Sequence, residues 1–444
     1  AVPVAHIQTV LLTGATGFVG RHFLADLLES NESITQVFCP IRSKSDADAR
    51  RRLVESMKEA GTWSEAYNPR IHAFKADLKS NQMGVESHLF LKISEAVDAV
   101  YHFASDLNLT ASFQAAKESN CSSFRSVIAV CLSGRKKHLF LASTLGIFPQ
   151  YFCQFGNEMS NMPIARDAMP DLTLMKRIFP LGISGYAWSK LIIELAAYRL
   201  NSIHGVPLAV FRLPTMFCYR KLAMMPEYYS VSLQVENGYR TEELLFSLAG
   251  SSGYTSVNDP AIRLFFAMLQ VRKNPGRSSA LCIEDATLCN EIILQISLNP
   301  ERRNVIYQCT RRSPPLPSEF SQFDMLGFPA LERTSYEDFK MECLKLGKDS
   351  PRHSYWLLLD HFKPYWLGQD TDQRAFDIDI STVEEDCGAL PSGGNGINIL
   401  QESFRWLLSN ENKLPIDARF LRASLDLESM LLPAKKLCAD YGLD

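Results

Sequence analysis

Apolar and polar positions alternate between two periods through the first half of the chain. Val10-Leu11-Leu12 is a short unbroken apolar run; after it Phe18, Val19, Phe23, Leu24, Leu27 and Leu28 are apolar while Arg21, His22, Asp26 and Glu29 are polar. The first reads as a buried strand and the second as an amphipathic helix. The same unit recurs. Strands are expected at Gln36–Ile41, Ile71–Lys75, Ala99–Phe103, His138–Ala142 and Leu208–Arg212, with helical patterns at Asp46–Ala60, about Phe113–Leu132 and Ser184–Glu194. Such alternation predicts an α/β fold with a parallel, doubly wound sheet. Beyond about Lys221 the pattern fades, although Val305–Gln308 is a candidate further strand. The remainder reads as helical, with a Pro-rich joint at Ser313–Pro317, and the Gly-rich Ser392–Gly396 reads as a surface loop because no strand precedes it. Between the fifth strand and the last of these helices, Gln150–Ile183 is irregular and broken at Met162-Pro163, Met169-Pro170 and Phe179-Pro180. A loop of that length is a candidate substrate gate.

The junction of first strand and first helix carries Thr13-Gly14-Ala15-Thr16-Gly17-Phe18-Val19-Gly20. Gly14 suits a tight turn, Gly17 a close approach of a diphosphate, and Gly20 close packing of helix on strand. The helix then points its unpaired N–H groups and positive dipole end at that diphosphate. This is the pattern of a Rossmann dinucleotide site, the plain alternative being a structural turn of another α/β protein. An NAD site would be expected to place an acidic residue about twenty positions on, to hold the ribose 2′-hydroxyl. Here the second strand ends in Arg42-Ser43-Lys44. A guanidinium and an ammonium suit a 2′-phosphate, which predicts NADPH, against the plainer reading of a solvated basic loop. The expected cofactor set is Gly14, Thr16, Gly17, Phe18, Val19 and Gly20 in the turn, Arg42 and Lys44, then Asp77 at the adenine edge with Leu78. It continues with Ala104 beside the cofactor backbone, Ser143, Lys190, Leu213 and Pro214.

At 444 residues the chain exceeds one small core. The expected division is an NADPH-binding domain over 1–222, completed by about 255–310, and a smaller, mainly helical substrate-binding cap from 311–444 with 223–254. With 46 basic and 49 acidic side chains the net charge is −3, which does not favour nucleic acid. No apolar run is long enough for a membrane span and no signal sequence is evident, so a cytoplasmic protein is expected. A chain that begins almost at its first strand and lacks an initial Met is expected to be a segment cut from a longer polypeptide or engineered. Eleven scattered cysteines without C-x-x-C read as reduced thiols, and nine histidines form no paired metal motif, so no metal is expected.

Hydride transfer to a carbonyl carbon leaves negative charge on oxygen, which needs an acid and a hydrogen-bond donor. Tyr186 and Lys190 lie one helical turn apart, just after a sheet edge bearing Ser143 and Thr144. Tyr186 is the expected proton donor, its pKa lowered by the Lys190 charge; Lys190 also holds the nicotinamide ribose, and Thr144 or Ser143 binds the oxyanion. Tyr336 and Lys340 repeat the spacing, but no edge hydroxyl or Gly-rich turn accompanies them. They read as an exposed helix face.

Together Thr13-Gly14-x-x-Gly17-x-x-Gly20, Asp77-Leu78, His102-Phe103-Ala104, Ser143-Thr144 and Gly185-Tyr186-x-x-Ser189-Lys190 resemble the extended short-chain dehydrogenase/reductase superfamily. Within it, Ala142-Ser143-Thr144, the long loop before Tyr186 and Phe211-Arg212-Leu213-Pro214 resemble the terminal thioester reductase domains of non-ribosomal peptide and polyketide synthases. The likeness continues through Leu281–Asp285, where Cys282-Ile283-Glu284-Asp285 departs from the family's usual Pro-Val-Asp, and through Phe328-Pro329 and Tyr336–Phe339. That resemblance implies reductive release of an acyl or peptidyl thioester from the phosphopantetheine arm of a carrier domain, giving an aldehyde or, after a second reduction, an alcohol. It implies Tyr186 as proton donor and Thr144 on the oxygen, in a domain that is monomeric when isolated. The rival readings are a fatty acyl-CoA reductase, a redox-inactive cyclising release domain, a sugar-nucleotide epimerase and a module that only binds NADPH. The aromatic-rich run Tyr355–Trp366 is either core or the lining of an acyl tunnel.

Overall fold

The computed structural model describes residues 1–108, 111–148, 167, 185–216, 267–268, 271–274, 283–310, 331–349 and 378–387. The expected gating loop, the aromatic run and the Gly-rich loop near residue 394 lie outside these residues.

Seven strands form one wholly parallel sheet in the order β10-β6-β5-β4-β1-β2-β3. They are β1 (Thr9–Thr13), β2 (Gln36–Ile41), β3 (Ile71–Lys75), β4 (Ala99–His102), β5 (His138–Thr144), β6 (Leu208–Leu213) and β10 (Ile306–Gln308). Four further short strands occur among the described residues, three between β6 and β10 and one after β10: β7 (Thr215–Met216) pairs with β9 (Ile283–Glu284), and β8 (Lys273–Asn274) pairs with β11 (Glu332–Arg333). The sheet winds one way from β1 to β3 and the other way from β4 outward. Its topological switch point therefore lies between β1 and β4, where ligands of such sheets bind. The central strands are buried on both faces, which is why they read as apolar runs rather than alternating ones.

Helices cover both faces. Helix α1 (Phe18–Ser30), α2 (Asp46–Glu59) and α7 (Ala286–Leu298) close one apolar cluster that includes Phe23, Leu27, Leu53, Tyr101, Phe140 and Ile292. Helix α3 (Ser87–Ala96), α5 (Ser122–Leu132) and α6 (Gly185–His204) close the other, around Phe90, Phe124, Val127, Leu141 and Ile193. Local signals set the helix starts: Ser45 Oγ accepts from Asp48 N in α2, and the Asp285 carboxylate accepts from Leu288 N in α7.

The expected helix over Phe113–Leu132 is not uniform. It begins as α4 (Phe113–Ala116), widens into a π turn at Lys117–Cys121 and resumes as α5. The π turn and α4 pack on α6. Strand β5 runs two residues past the expected end, which puts Ser143 and Thr144 within the ladder, opposite Arg212 and Leu213. The candidate strand near Val305 joins the sheet edge beside β6.

A helix from the expected cap, α9 (Ser381–Cys387), packs on α7 and β10. Its Asp386 carboxylate accepts from Arg303 N, Asn304 N and the Tyr307 hydroxyl. The second Tyr-x-x-x-Lys pair lies on α8 (Tyr336–Asp349). The exposed face expected there is corrected at its key residue, because Tyr336 is buried with its ring 6.4 Å from that of Phe339.

Candidate active site

The turn after β1 has the geometry its glycines predict. Gly14 has a φ of +78°, and a Cβ there would stand 2.6 Å from Ala104 N, so the turn lies directly against the end of β4. Thr13 Oγ1 accepts from Ala104 N at 3.2 Å and pairs with His102 Nδ1 at 2.8 Å, fixing the two strand ends across the switch point. At Gly20 a Cβ would fall 2.2 Å from the Gly14 carbonyl oxygen, so the helix sits closer than any side chain permits. Helix α1 starts without a side-chain cap or an acidic residue in its first turn. Gly17 N is used within the turn, donating to Gly14 O at 2.9 Å, which leaves the Phe18, Val19 and Gly20 amides facing the helix end. A helix start without its own anion is chemically suited to an external phosphate.

Arg42 and Lys44 follow β2 as exposed residues, and neither side chain makes a hydrogen bond or ion pair among the described residues. Their backbone is well held: Lys44 N donates to Asp48 Oδ2 at 3.0 Å, and Arg52 donates to the Arg42 carbonyl. Past β3, the exposed Asp77 accepts from Lys79 N at 3.1 Å and from Ser80 Oγ at 2.9 Å, which shapes its turn. A carboxylate so used keeps acceptor capacity for one more donor. Leu78 packs on the apolar cluster below, while its carbonyl accepts from Ser126 Oγ.

The chemical residues gather at the carboxyl ends of β4, β5 and β6. Thr144 is partly buried, and its Oγ1 accepts from Gly146 N at 3.1 Å, so its own proton is available for donation. Ser143 is buried and its hydroxyl has no partner among the described residues, an orphaned polar atom at the strand end where the cofactor is expected. Tyr186 and Lys190 share the inner face of α6, the ammonium 5.9 Å from the phenol ring centroid. Lys190 is almost wholly buried and donates to the Ala142 carbonyl at 2.9 Å. Leu213 ends β6, and Pro214 follows it before β7.

One electrostatic expectation is corrected. The Tyr186 phenol is not acidified by Lys190; burial raises its pKa well above the ordinary tyrosine range. Ser105 stands beside the phenol and pulls the other way, although its hydroxyl falls short of a well-formed hydrogen bond. Lys190 is itself brought down to about 8 by burial, against the opposing pull of Glu194 and Cys121. The physical reason is that the ammonium is directed at the Ala142 carbonyl in a site dry enough to disfavour charge on either group. A tyrosine held neutral remains loaded with the proton it is needed to give.

Two further residues were invisible to sequence patterning. Asn120, buried in the π turn, donates to Ser189 Oγ at 2.9 Å and to the Asp106 carbonyl, and its Oδ1 accepts from Asp106 N at 2.7 Å. Ser189 Oγ in turn donates to the Tyr186 carbonyl at 2.7 Å, so Asn120 holds the start of α6. The other is Arg212, the largest fully buried side chain, which pairs with Glu194. Asn120 stands in a polar stretch, Lys117-Glu118-Ser119-Asn120, that offers no signal of its own; for Arg212 the signal is a charge inside a strand otherwise apolar.

The described cysteines are all free thiols, and no helix among the described residues is long and apolar enough to cross a membrane. Among the described residues no cluster of His, Cys, Asp and Glu is arranged to hold a metal ion.

The relatives are consistent with this architecture. The chain is 27% identical over 209 residues, 47% of its length, to one of the subunits of linear gramicidin synthase from Brevibacillus parabrevis, and the match covers 4% of that protein. It is 31% identical over 147 residues, 33% of its length, to the L-2-aminoadipate reductase large subunit of Penicillium chrysogenum, covering 10% of that protein. It thus spans a small part of the curated relatives it matches. The crystal structure of the terminal R domain from the myxalamid PKS-NRPS biosynthetic pathway superposes with a TM-score of 0.74 at 18% identity, covering 93% of each chain. That likeness gives the shared fold. A family model of NAD-binding type described as "Male sterility protein" matches residues 12–258, more than half of the chain, and the chain belongs to that family.

Proposed function

We propose that the chain is an NADPH-dependent thioester reductase that releases an acyl or peptidyl group from a carrier-bound phosphopantetheine arm as an aldehyde. The observation that carries this reading is the convergence of Thr144, Tyr186 and Lys190 on the sheet edge that also bears the glycine turn. The reductase and synthase relatives support the same chemistry. Arg42 and Lys44, exposed cations just past β2 whose side chains have no partner among the described residues, favour the phosphorylated cofactor.

The cofactor-facing residues fit a dinucleotide diphosphate: α1 starts without a side-chain cap or an acidic residue, the turn at Gly14 leaves no room for a side chain, and the buried Ser143 hydroxyl has no partner among the described residues. When bound, NADPH supplies the hydride that adds to the thioester carbonyl carbon. Thr144 donates its free hydroxyl proton toward the oxygen as charge develops there. Tyr186, held neutral by burial, transfers its proton to that oxygen, with the Lys190 ammonium 5.9 Å from its ring centroid as the neighbouring cation. The carbon–sulfur bond of the hemithioacetal then breaks, with the hydroxyl proton passing to the departing thiolate, and aldehyde and carrier thiol are formed. Lys190 also orients the nicotinamide ribose, its ammonium being anchored on Ala142 beside both hydroxyl residues.

The test is loss of NADPH absorbance with an acyl group presented on a carrier protein and then as acyl-CoA, with products identified by mass. Oxidation with the carrier substrate and a released aldehyde or alcohol is expected. Preference for acyl-CoA would replace the carrier reading with a fatty acyl reductase. Tyr186→Phe is expected to cut turnover by about 10²–10⁴, and unchanged turnover would refute the proton-donor role.

A further inference from the structure

Helix α6 repeats a functional residue every turn: Tyr186, Lys190, Glu194 and Tyr198 stand at four-residue spacing. Glu194 is fully buried, as is Arg212 on β6, and the two form a multiply bonded ion pair. Arg212 Nη2 donates to Glu194 Oε2 at 2.8 Å, and Nε donates toward both carboxylate oxygens at 3.2 and 3.3 Å. Tyr198 completes the carboxylate shell, its hydroxyl donating to Oε2 at 2.9 Å. The other face of the guanidinium lies 4.8 Å from the Phe148 ring centroid. Phe148 closes the short turn that Thr144 caps, and its amide donates to Leu145 O. Arg212 is also the ladder partner of Ser143.

We propose that the Glu194–Arg212 pair is a positioning device that locks the helix bearing Tyr186 and Lys190 to the turn bearing Thr144, so that proton donor and oxyanion donor keep one spacing. Neither residue touches the reacting atoms. The pair acts through α6 on one side and through Phe148 on the other, and it rests on the reductase reading for its chemical meaning.

A buried ion pair seldom stabilises a fold more than apolar side chains of the same volume, because desolvation of both charges offsets their attraction. A stability role therefore explains this pair poorly, whereas fixed geometry at a site where misplacement is costly explains it well. Glu194 has a second effect. It is the foremost group favouring the charged form of Lys190, against burial. The other groups facing Lys190 are Tyr186 on its own helix, Cys121 from the π turn, His102 from β4 and the Ala142 carbonyl from β5. His102 is fully buried and neutral, with its pKa near 3 from burial and then the Lys190 charge, so it adds no competing cation.

The decisive experiment compares wild type, Glu194→Met/Arg212→Met and Arg212→Lys in the full chain. Four quantities are read: melting temperature, NADPH affinity by cofactor fluorescence, kcat and KM on a carrier-bound thioester, and the Lys190 titration followed by ¹⁵N-lysine NMR. In the double variant, melting temperature and NADPH affinity are expected to stay near wild type. Its kcat is expected to fall at least about tenfold with KM little changed, and Lys190 is expected to titrate at lower pH. Arg212→Lys keeps the charge but loses the bidentate fork, so its kcat is expected to fall while Lys190 titrates as in wild type. Wild-type kcat in either folded variant overturns the proposal. So does parallel loss of kcat and NADPH affinity, which would mark a structural role. Should the double variant not fold, Arg212→Lys alone decides. If wild type oxidises NADPH with no thioester, the functional reading fails; an unmoved Lys190 titration in the double variant then overturns the electrostatic part independently.

Discussion

Replacing Gly20 by Ala tests whether the packing of α1 on its turn makes the phosphate site. The new Cβ would stand 2.2 Å from the Gly14 carbonyl oxygen, 2.8 Å from its carbon and 3.1 Å from Ala15 Cα. All three are backbone atoms, so no side-chain rotation relieves the clash. The helix start must retreat by about 1 Å to restore ordinary contact, an overpacking that costs about 1–3 kcal/mol. For a chain of 444 residues that is a loss of about 1–3 °C in melting temperature. The same movement draws the Phe18 and Val19 amides away from the phosphate position, so NADPH affinity should fall by about one to two orders of magnitude. Gly17→Ala is the control. Its φ of −76° suits any residue, and the added carbon would lie 3.2 Å from Gly14 O, a contact that needs far less adjustment than the one at Gly20, so the fold should lose less than in Gly20→Ala. Its exposed face looks toward the expected diphosphate, so affinity should still drop. Thermal melts and fluorescence titrations on both variants separate the two effects. Wild-type melting temperature and affinity in Gly20→Ala would refute the reasoning.

Three further perturbations follow from the site and its support. Arg42→Ala should weaken NADPH binding by at least tenfold while leaving NADH within a few-fold, since only the former carries the 2′-phosphate; equal losses in fluorescence titrations would count against that contact. Because burial brings Lys190 down to about 8, kcat/KM for the free enzyme should show an alkaline limb near that pH rather than near the ordinary lysine value. A profile flat to pH 9.5, an interval chosen to lie about midway to the ordinary value, would exclude a required ammonium. Asp386 is pushed upward by burial, but its bonds from Asn304, Tyr307 and Arg303 prevail and leave its carboxyl below the usual range. Its contribution to stability is therefore present above the unfolded carboxyl pKa and lost as pH falls through the folded value. Asp386→Asn should cost about 1–3 kcal/mol at neutral pH and flatten that acid dependence, read by urea melts across pH; an unchanged acid limb would remove Asp386 as its cause.

The sheet is legible because its central strands are buried on both faces and its helices on one, so each element declares itself by a different apolar period. The bounds of β2 and β3 fall where the sequence puts them. Gly14 and Gly20 were legible because backbone-to-backbone approach leaves room for no other residue. What stayed hidden depends on partners distant in sequence. Glu194 and Arg212 are apart along the chain, and only the packing of α6 on β6 removes both from water. Asn120 looks like one more exposed polar residue of Lys117–Ser123 until the π turn aims it at Ser189. The state of the tyrosine is hidden for a related reason: spacing gives the proximity of Lys190, but not the burial that raises the phenol's pKa.

The π turn at Lys117–Cys121 bears on how the family's chains can lengthen and shorten. Such a turn closes its hydrogen bonds over one residue more than an α turn, so it behaves as a single-residue insertion absorbed without breaking the helix. Residues before it are rotated by about 100° relative to their places on an uninterrupted helix. Deleting one residue there would keep the composition and the helical propensity of the segment, yet swing α4 off α6 and turn Asn120 from Ser189. In an alignment, a one-position gap at this point is therefore a change of phase between two helix faces, and it separates chains that retain this support for the tyrosine from chains that have lost it.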